Sequence, residues 1–542
     1  MALFKKYLSK KNFLENWQLL VVLVISAVLR FTSLGYSNYQ GDEIKALFLP
    51  EPGQSAFNFL MDQRKGPIQF LVTFLLKFLN PTYENELLMR VPFALAGFFV
   101  VFFFFKLVEL HFGKKVAFYA SLFFATNGFF IAFSRIVQYQ SFVIFFMILA
   151  LYFLALANEK EEFKIKGIYY GLLFWSFSIL SHYDGIFIAP FAFHLIHKWF
   201  QEQNMEKKAK WVIFIKAGII AAIPILAFYI PFVFSISEST QQYWLGRITG
   251  DVSGKLSSSR YLFTVYQPIY AVHIYTALFI LGIGFIFLGL ISKYIKNIQK
   301  LPKIIQNFFS HTTDLMQLIK KQKQLVYSLL GWIALAAIFF EVIVYIPGTH
   351  IYSYLVPMFI ILALGLITLE SLVFKVFEYP IVVVFNTLGI LVLFAFLALQ
   401  SYTIFVNNTK EYPWEQEQFL AWTLPQPTPI YHLSMFGFPY YRNWEGIRDF
   451  IAQFPEVEAY STNERTSISR YYIPLQKDTE EAGFFVHVRH PQSFEGNILY
   501  EKADYWAQNY EPVHTLSRYG RDLVRVYLMP VGTIEEIQLQ GY

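Results

Sequence analysis

Asp42 and Glu43 stand side by side in the stretch Ser37-Asn-Tyr-Gln-Gly-Asp-Glu-Ile-Lys45, directly after the first long apolar run. A carboxylate at the mouth of an apolar cavity can act as a general base on a hydroxyl nucleophile. An isolated Asp-Glu is more often a solvated loop pair, so placement decides the matter. The same loop carries Lys65-Gly-Pro67 and a short apolar stretch, Ile68 to Leu79. Further along, Arg135 with Gln138 and Gln140, His182 with Asp184, Arg247, and His350 with Tyr352 each interrupt or end an apolar run. Ionisable groups near membrane depth are functional candidates. Gln138 and Gln140 can both donate and accept hydrogen bonds. Two candidate ligands, His182 and Asp184, are too few to argue for a metal.

Composition says what must position these groups. Of 542 residues, 56% are hydrophobic and only 15% charged, against about 25% charged in an ordinary soluble domain. Most of the chain therefore faces lipid or other helices. The net charge of +6 is too small to suggest nucleic acid, and the absence of Cys excludes a disulfide framework, a thiolate metal site and a Cys nucleophile. Lys5, Lys6, Lys10 and Lys11 precede the first run with no small-residue cleavage site after it, which reads as a retained anchor.

A membrane-crossing helix needs about 20 apolar residues. Runs of that kind begin near Trp17, Val91, Lys115, Ser141, Gly167, Gly185, Trp211, Ile269, Leu325, Ile351 and Ile381, predicting about eleven transmembrane helices, with the pair near Gly167 and Gly185 short. Ile68 to Leu79, a dozen residues containing Lys77, suits an interfacial helix better. If it does not span, Lys114 and Lys115, Lys160, Lys164 and Lys166, Lys207, Lys208 and Lys210, and the cluster from Lys293 to Lys323 all fall on the cytoplasmic side. Asp42, Glu43, Lys65, Arg90, Arg135, Gln138, Gln140, His182, Asp184, Arg247, His350 and Tyr352 then share the outer face. Arg is favoured there over Lys, and its fork suits phosphate oxygens.

Composition shifts after about Asn407. Residues 1–406 read as the membrane module, with a first outer loop at about 37–90, and 407–542 as a small α/β domain on the outer face. Its punctuation is Pro425-Gln-Pro-Thr-Pro429, with a helix-like stretch from Asn443 to Phe454 and β-like runs at Phe484–Val488 and Leu523–Tyr527.

The order Leu29-Arg-Phe, Gly35, Asp42-Glu43, Lys65-Gly-Pro67, Arg90-Val-Pro92, continued by Ser134-Arg-Ile-Val-Gln-Tyr-Gln140 and His350-Ile-Tyr-Ser-Tyr-Leu-Val-Pro357, resembles the GT-C glycosyltransferases. It is similar, more narrowly, to the glycosyltransferase family 39 and protein O-mannosyltransferase group and to the lipid A aminoarabinose transferases. The resemblance covers roughly the first 400 residues, and its motifs are specific only in combination. It implies a polytopic α-helical GT-C-like fold in the plasma membrane, a polyprenyl-phosphate sugar donor and a protein, lipid or glycan acceptor. Asp42 would be the base with Glu43 beside it, and Lys65 would bind the lipid phosphate. Gln140 stands where many relatives have a second acid. The resemblance therefore gives no metal ligands and implies turnover that survives chelation, with a divalent cation left open as a cofactor.

The reading is an inverting membrane glycosyltransferase. A polytopic transporter or lipid flippase is the alternative, but transporters tend to put polar groups at the bilayer midplane and to repeat their halves. Here the polar groups gather at run ends, and no repeat is visible.

Overall fold

The computed structural model describes residues 10–202, 204–250, 271–291, 315–345, 348–376, 380–414, 418–420, 422–423, 436–492 and 498–539. Lys5 and Lys6, the start of the run near Ile269, most of the cluster from Lys293 and the stretch Pro425–Pro429 lie outside them. The chain is a polytopic α-helical membrane protein with a small C-terminal α/β region.

Each of the eleven predicted runs contains a helix, but the predicted span count needs correction. Among the described residues, seven helices are long and apolar enough to cross a membrane: Glu86–Phe112, Gln140–Glu159, Lys207–Phe234, Val272–Leu290, Lys323–Ile343, Gly348–Ser371 and Val383–Phe405. Lys114–Thr126 and Gly128–Ser134 meet at 63° and make an eighth if they form one span. The others fall short for local reasons. A break at Asn16 leaves the first helix as Asn16–Phe31. Lys166–Ser181 has 16 residues and Ala189–Glu202 has 14. At 1.5 Å per residue, 16 residues reach about 24 Å, less than the ~30 Å hydrocarbon core. The polar turn His182–Ile188 separates these two helices, and a count of apolar residues does not register it.

Aromatic rings fill the space between the long helices. Phe124 lies 4.8 Å from Phe130 and 5.3 Å from Phe359, joining three elements at one point with the geometry that aromatic quadrupoles favour.

The first outer loop is folded rather than trailing. Ile68–Lys77 is a ten-residue helix, as expected of a segment too short to span, and Leu75, Phe78 and Leu79 at its end are exposed. Gly66 is the loop's closest approach to the helix Lys166–Ser181. A Cβ there would lie 1.9 Å from the backbone oxygen of Leu180, so only glycine lets Lys65 sit beside that helix end.

In the C-terminal region five strands lie in the spatial order Gln476–Lys477, Ala459–Thr462, Phe484–Val488, Arg521–Leu528, His514–Arg518. The first three are parallel and the last two join antiparallel. Helix Trp444–Ile451 and both predicted β runs occur where the sequence indicated. Val486, Val524 and Val526 from the sheet share a core with Tyr39, Ala46 and Leu47 of the outer loop. The sheet is thus packed onto the loop that carries Asp42.

Candidate active site

Glu43 and Arg90 build the frame of the acidic loop. Arg90 donates from Nε to Glu43 Oε1 at 2.8 Å and from Nη2 to Oε2 at 2.7 Å, a bidentate pair with both side chains essentially inaccessible. Glu43 also accepts from the backbone N–H of Gln40 at 2.7 Å and of Val137 at 2.9 Å. Arg90 uses its remaining donors on the carbonyls of Leu34, Ser37 and Asn38. This network turns the chain sharply after the first helix and leaves Asp42, one residue earlier, facing the opposite way. The C-terminal region holds the same turn from outside: Gln492 Oε1 accepts from Gly41 N at 3.2 Å and the Phe438 carbonyl from Gln40 Nε2 at 3.0 Å. A Cβ on Gly41 would lie 2.8 Å from Ser467 Oγ.

Asp42 opens into a cavity of about 540 Å³. Its carboxylate is 24% exposed and lies 3.6 Å from both Lys45 Nζ and Arg465 Nη2. Gln138 ties it to the next cation, donating from Nε2 to the Asp42 carbonyl at 2.7 Å and accepting from Lys65 Nζ at 3.2 Å. Lys65 also sits 5.0 Å above the ring of Tyr139, which stacks on His182 at 4.5 Å. Burial lowers the Lys65 ammonium to about 8, against the opposing pull of Asp42. Across the cavity, Arg64 and Arg247 lie 4.2 and 5.0 Å from the ring of Tyr243. Among the lining residues, four cations (Lys45, Arg64, Lys65 and Arg247) face two carboxylates, Asp42 and Asp62. The cavity therefore favours an anion.

The far wall is formed by His182 and His350, with Asp184 buried behind them. Asp184 Oδ2 accepts from Tyr352 Oη at 2.7 Å and lies 2.7 Å from His350 Nδ1. Burial pushes the His182 imidazole down to about 4, so it is neutral near pH 7.

Of the predicted site residues, Asp42, Lys65, Gln138, Gln140, His182, Arg247 and His350 line this one cavity. They come from five separate run ends. Asp184 and Tyr352 stand directly behind the lining. Glu43, Arg90 and Arg135 do not face it. Arg135, expected to contact substrate, instead donates to the carbonyls of Leu29, Arg30, Thr32 and Ser33. The first two are orphan acceptors in the last turn of the first helix and the other two follow its end, so Arg135 caps that helix. Arg90 is likewise occupied by the frame.

The sequence reading missed Arg64, Tyr139, Tyr243, Trp244 and Thr349 in the lining, and Arg465 beside Asp42. Arg64 adjoins Lys65 and could have been noticed by adjacency. Arg465 lies more than 400 residues from Asp42, and no spacing signal connects them.

Residues 68–228 match the family described as dolichyl-phosphate-mannose-protein mannosyltransferase, which agrees with the resemblance drawn from the motifs. No curated protein matches the chain. Among solved structures, the chain is similar to ArnT from Cupriavidus metallidurans bound to undecaprenyl phosphate, at 12% identity and a TM-score of 0.48, covering 95% of this chain and 99% of that one. It is also similar to the oligosaccharyltransferase AglB of Archaeoglobus fulgidus in complex with an inhibitory peptide and a dolichol-phosphate, at 11% identity and a TM-score of 0.46, covering 91% and 71%. An Archaeoglobus fulgidus oligosaccharyltransferase tethered to an acceptor peptide matches at 13% identity and a TM-score of 0.44, and this chain spans 56% of its length.

Proposed function

We propose that this chain is an integral-membrane glycosyltransferase that moves a sugar from a polyprenyl-phosphate donor to a hydroxyl of a protein, lipid or glycan acceptor. The observation that carries the reading is the single cavity that joins the accessible carboxylate of Asp42 to the cations Lys65, Arg64 and Arg247, with the apolar side chains of Phe59 and Phe70 in the same lining. A phosphate with an apolar tail matches that combination. The match of residues 68–228 to a mannosyltransferase family supports the same chemistry. By the Lys distribution, the cavity and the region from 407 lie on the extracytoplasmic side of the plasma membrane.

In this mechanism Asp42 removes the proton of the acceptor hydroxyl as its oxygen bonds to the anomeric carbon. The bond from that carbon to the phosphate oxygen breaks, and the lipid phosphate leaves with the electron pair, inverting the centre. Lipid phosphate is a good leaving group, so its charge needs stabilisation more than protonation, and Lys65 with Arg247 supplies it. Glu43 and Arg90 act by fixing the turn, and Arg135 by ending the helix before it. His182 and His350 form the opposite wall, with Asp184 and Tyr352 behind them, and Gln138 and Gln140 hydrogen-bond the sugar.

A charge-assisted hydrogen bond is worth about 1.5–3 kcal/mol, so Lys65→Ala is expected to weaken donor binding roughly ten- to a hundredfold. The same contact has a pH signature. Lys65 titrates at about 8 in the free protein, and only its protonated form attracts the phosphate. Donor affinity therefore holds below about pH 8 and falls as pH rises through it, while Lys65→Arg, still charged there, removes the fall. Unchanged affinity in Lys65→Ala, or no decline above pH 8 in the wild type, would take Lys65 out of the donor site.

A further inference from the structure

Asp184, fully buried, has only one of its two oxygens satisfied. Oδ2 has Tyr352 and His350 at 2.7 Å, but among the described residues Oδ1 has no hydrogen-bond donor. Nδ1 of His182 lies 3.1 Å from it. That nitrogen already accepts the backbone N–H of Asp184 at 3.2 Å, as the cap of the turn Tyr183–Ile188. An imidazole nitrogen that accepts an N–H presents a lone pair and no proton. Nδ1 and Oδ1 thus face each other at 3.1 Å without a shared proton, just behind the cavity wall. Such an arrangement is unfavourable unless a positive charge lies against both.

One ligand atom from each of His182, Asp184 and His350 lies within 4.8 Å of the others. We propose that these three side chains bind a divalent first-row cation, of which Zn²⁺ is the representative. Two imidazoles and one carboxylate are a donor set that suits Zn, Fe or Ni better than the oxygen-preferring Mg, Ca or Mn. The outer contacts fit the same use. Tyr352 Oη fixes the carboxylate, and Tyr139 stacks on the His182 ring at 4.5 Å and holds its plane. The ligands come from two separate segments, the turn after Lys166–Ser181 and the turn before Tyr352–Val376, so a cation would also pin those helix ends together. His182 and His350 line the cavity, so its charge would add to that of Lys65. The expectation that turnover survives chelation rested on Gln140, which is not one of these ligands. The cation binding does not depend on the glycosyltransferase reading.

The test is a titration of the purified full-length protein with Co²⁺, read by its d–d absorption, with bound Zn²⁺ per chain measured after dialysis. The expected result is one cation per chain. His350→Ala should weaken binding by more than the 10–100-fold typical of losing an outer-shell partner, and Asp184→Asn should weaken it as well. Asp184 is buried and its variant can fail to fold, so His350→Ala, at the cavity wall and checked for an unchanged melting temperature, carries the decision. Asp42→Asn, in the same cavity but outside the cluster, should bind the cation like the wild type. Three results would overturn the proposal: no stoichiometric cation in the wild type, full binding in folded His350→Ala, or equal loss in Asp42→Asn. The first two would leave the cluster as a hydrogen-bonded relay only.

Discussion

Asp42→Asn is expected to bind the lipid-phosphate donor like the wild type and to turn it over about 10²–10⁴-fold more slowly, the range typical of losing a general base. The substitution keeps size and hydrogen bonding and removes basicity. In the proposed site the phosphate contacts belong to Lys65 and Arg247, so affinity and turnover should separate. The backbone of Asp42 is held independently of its carboxylate, by Gln138 on its carbonyl and by the frame of Glu43. The variant should therefore melt where the wild type does. Measuring kcat and donor Kd on the same preparation checks this. Near-normal turnover would remove Asp42 from the role.

Glu43 should behave in the opposite way, although it is the next residue. Its carboxylate pairs with Arg90 in a dry site and receives two backbone N–H groups. Removing one partner of a buried, hydrogen-bonded ion pair typically costs about 3–5 kcal/mol, because the other charge is left uncompensated. Glu43→Ala and Arg90→Ala should each lower thermal stability by that order and unmake the turn. Activity would then fall together with the folded fraction. Glu43→Gln keeps the size but offers a neutral amide to a guanidinium, so it should lie between. Thermal unfolding of the three variants in detergent, with activity per folded molecule, separates the roles. A Glu43→Gln protein that melts like the wild type yet loses turnover would transfer the catalytic role from Asp42 to Glu43.

The contrast between these neighbours shows where sequence reading stops. Helix existence was legible because a run of apolar residues has few alternatives in a membrane, and Trp444–Ile451 and Phe484–Val488 were legible from period and β-branched or aromatic content. Alternation of runs led to the expectation that Asp42, Lys65, Gln138, His182, Arg247 and His350 share a face, and one cavity collects them. Direction was not legible. A carboxylate pair in a turn gives no sign of which member looks inward, and the answer depends on Arg90, Gln40 and Val137 together. Arg135 illustrates the same gap: an arginine at a run end can serve a ligand or the carbonyls of another helix, and only the packing distinguishes them. Span length failed for a related reason. The breaks at Asn16 and at His182–Ile188 are local backbone events inside windows that remain apolar on average.

His350 completes the cluster around Asp184 from 166 residues away, which explains why two ligands looked too few in the sequence. The contact of Arg465 with Asp42 is long and partly exposed. Its contribution is small beside that of the buried frame.

The central claim is that a sugar is transferred from a lipid phosphate in the cavity beneath Asp42. The most direct measurement incubates the purified protein with a panel of polyprenyl-phosphate sugars and acceptors and scores the free lipid phosphate released, with Asp42→Asn alongside. The account predicts that at least one donor yields lipid phosphate and glycosylated acceptor in equal amounts with the wild type and essentially none with Asp42→Asn. Release that is equal in the two proteins, or donors that bind and cross the membrane with their sugar still attached, would contradict it.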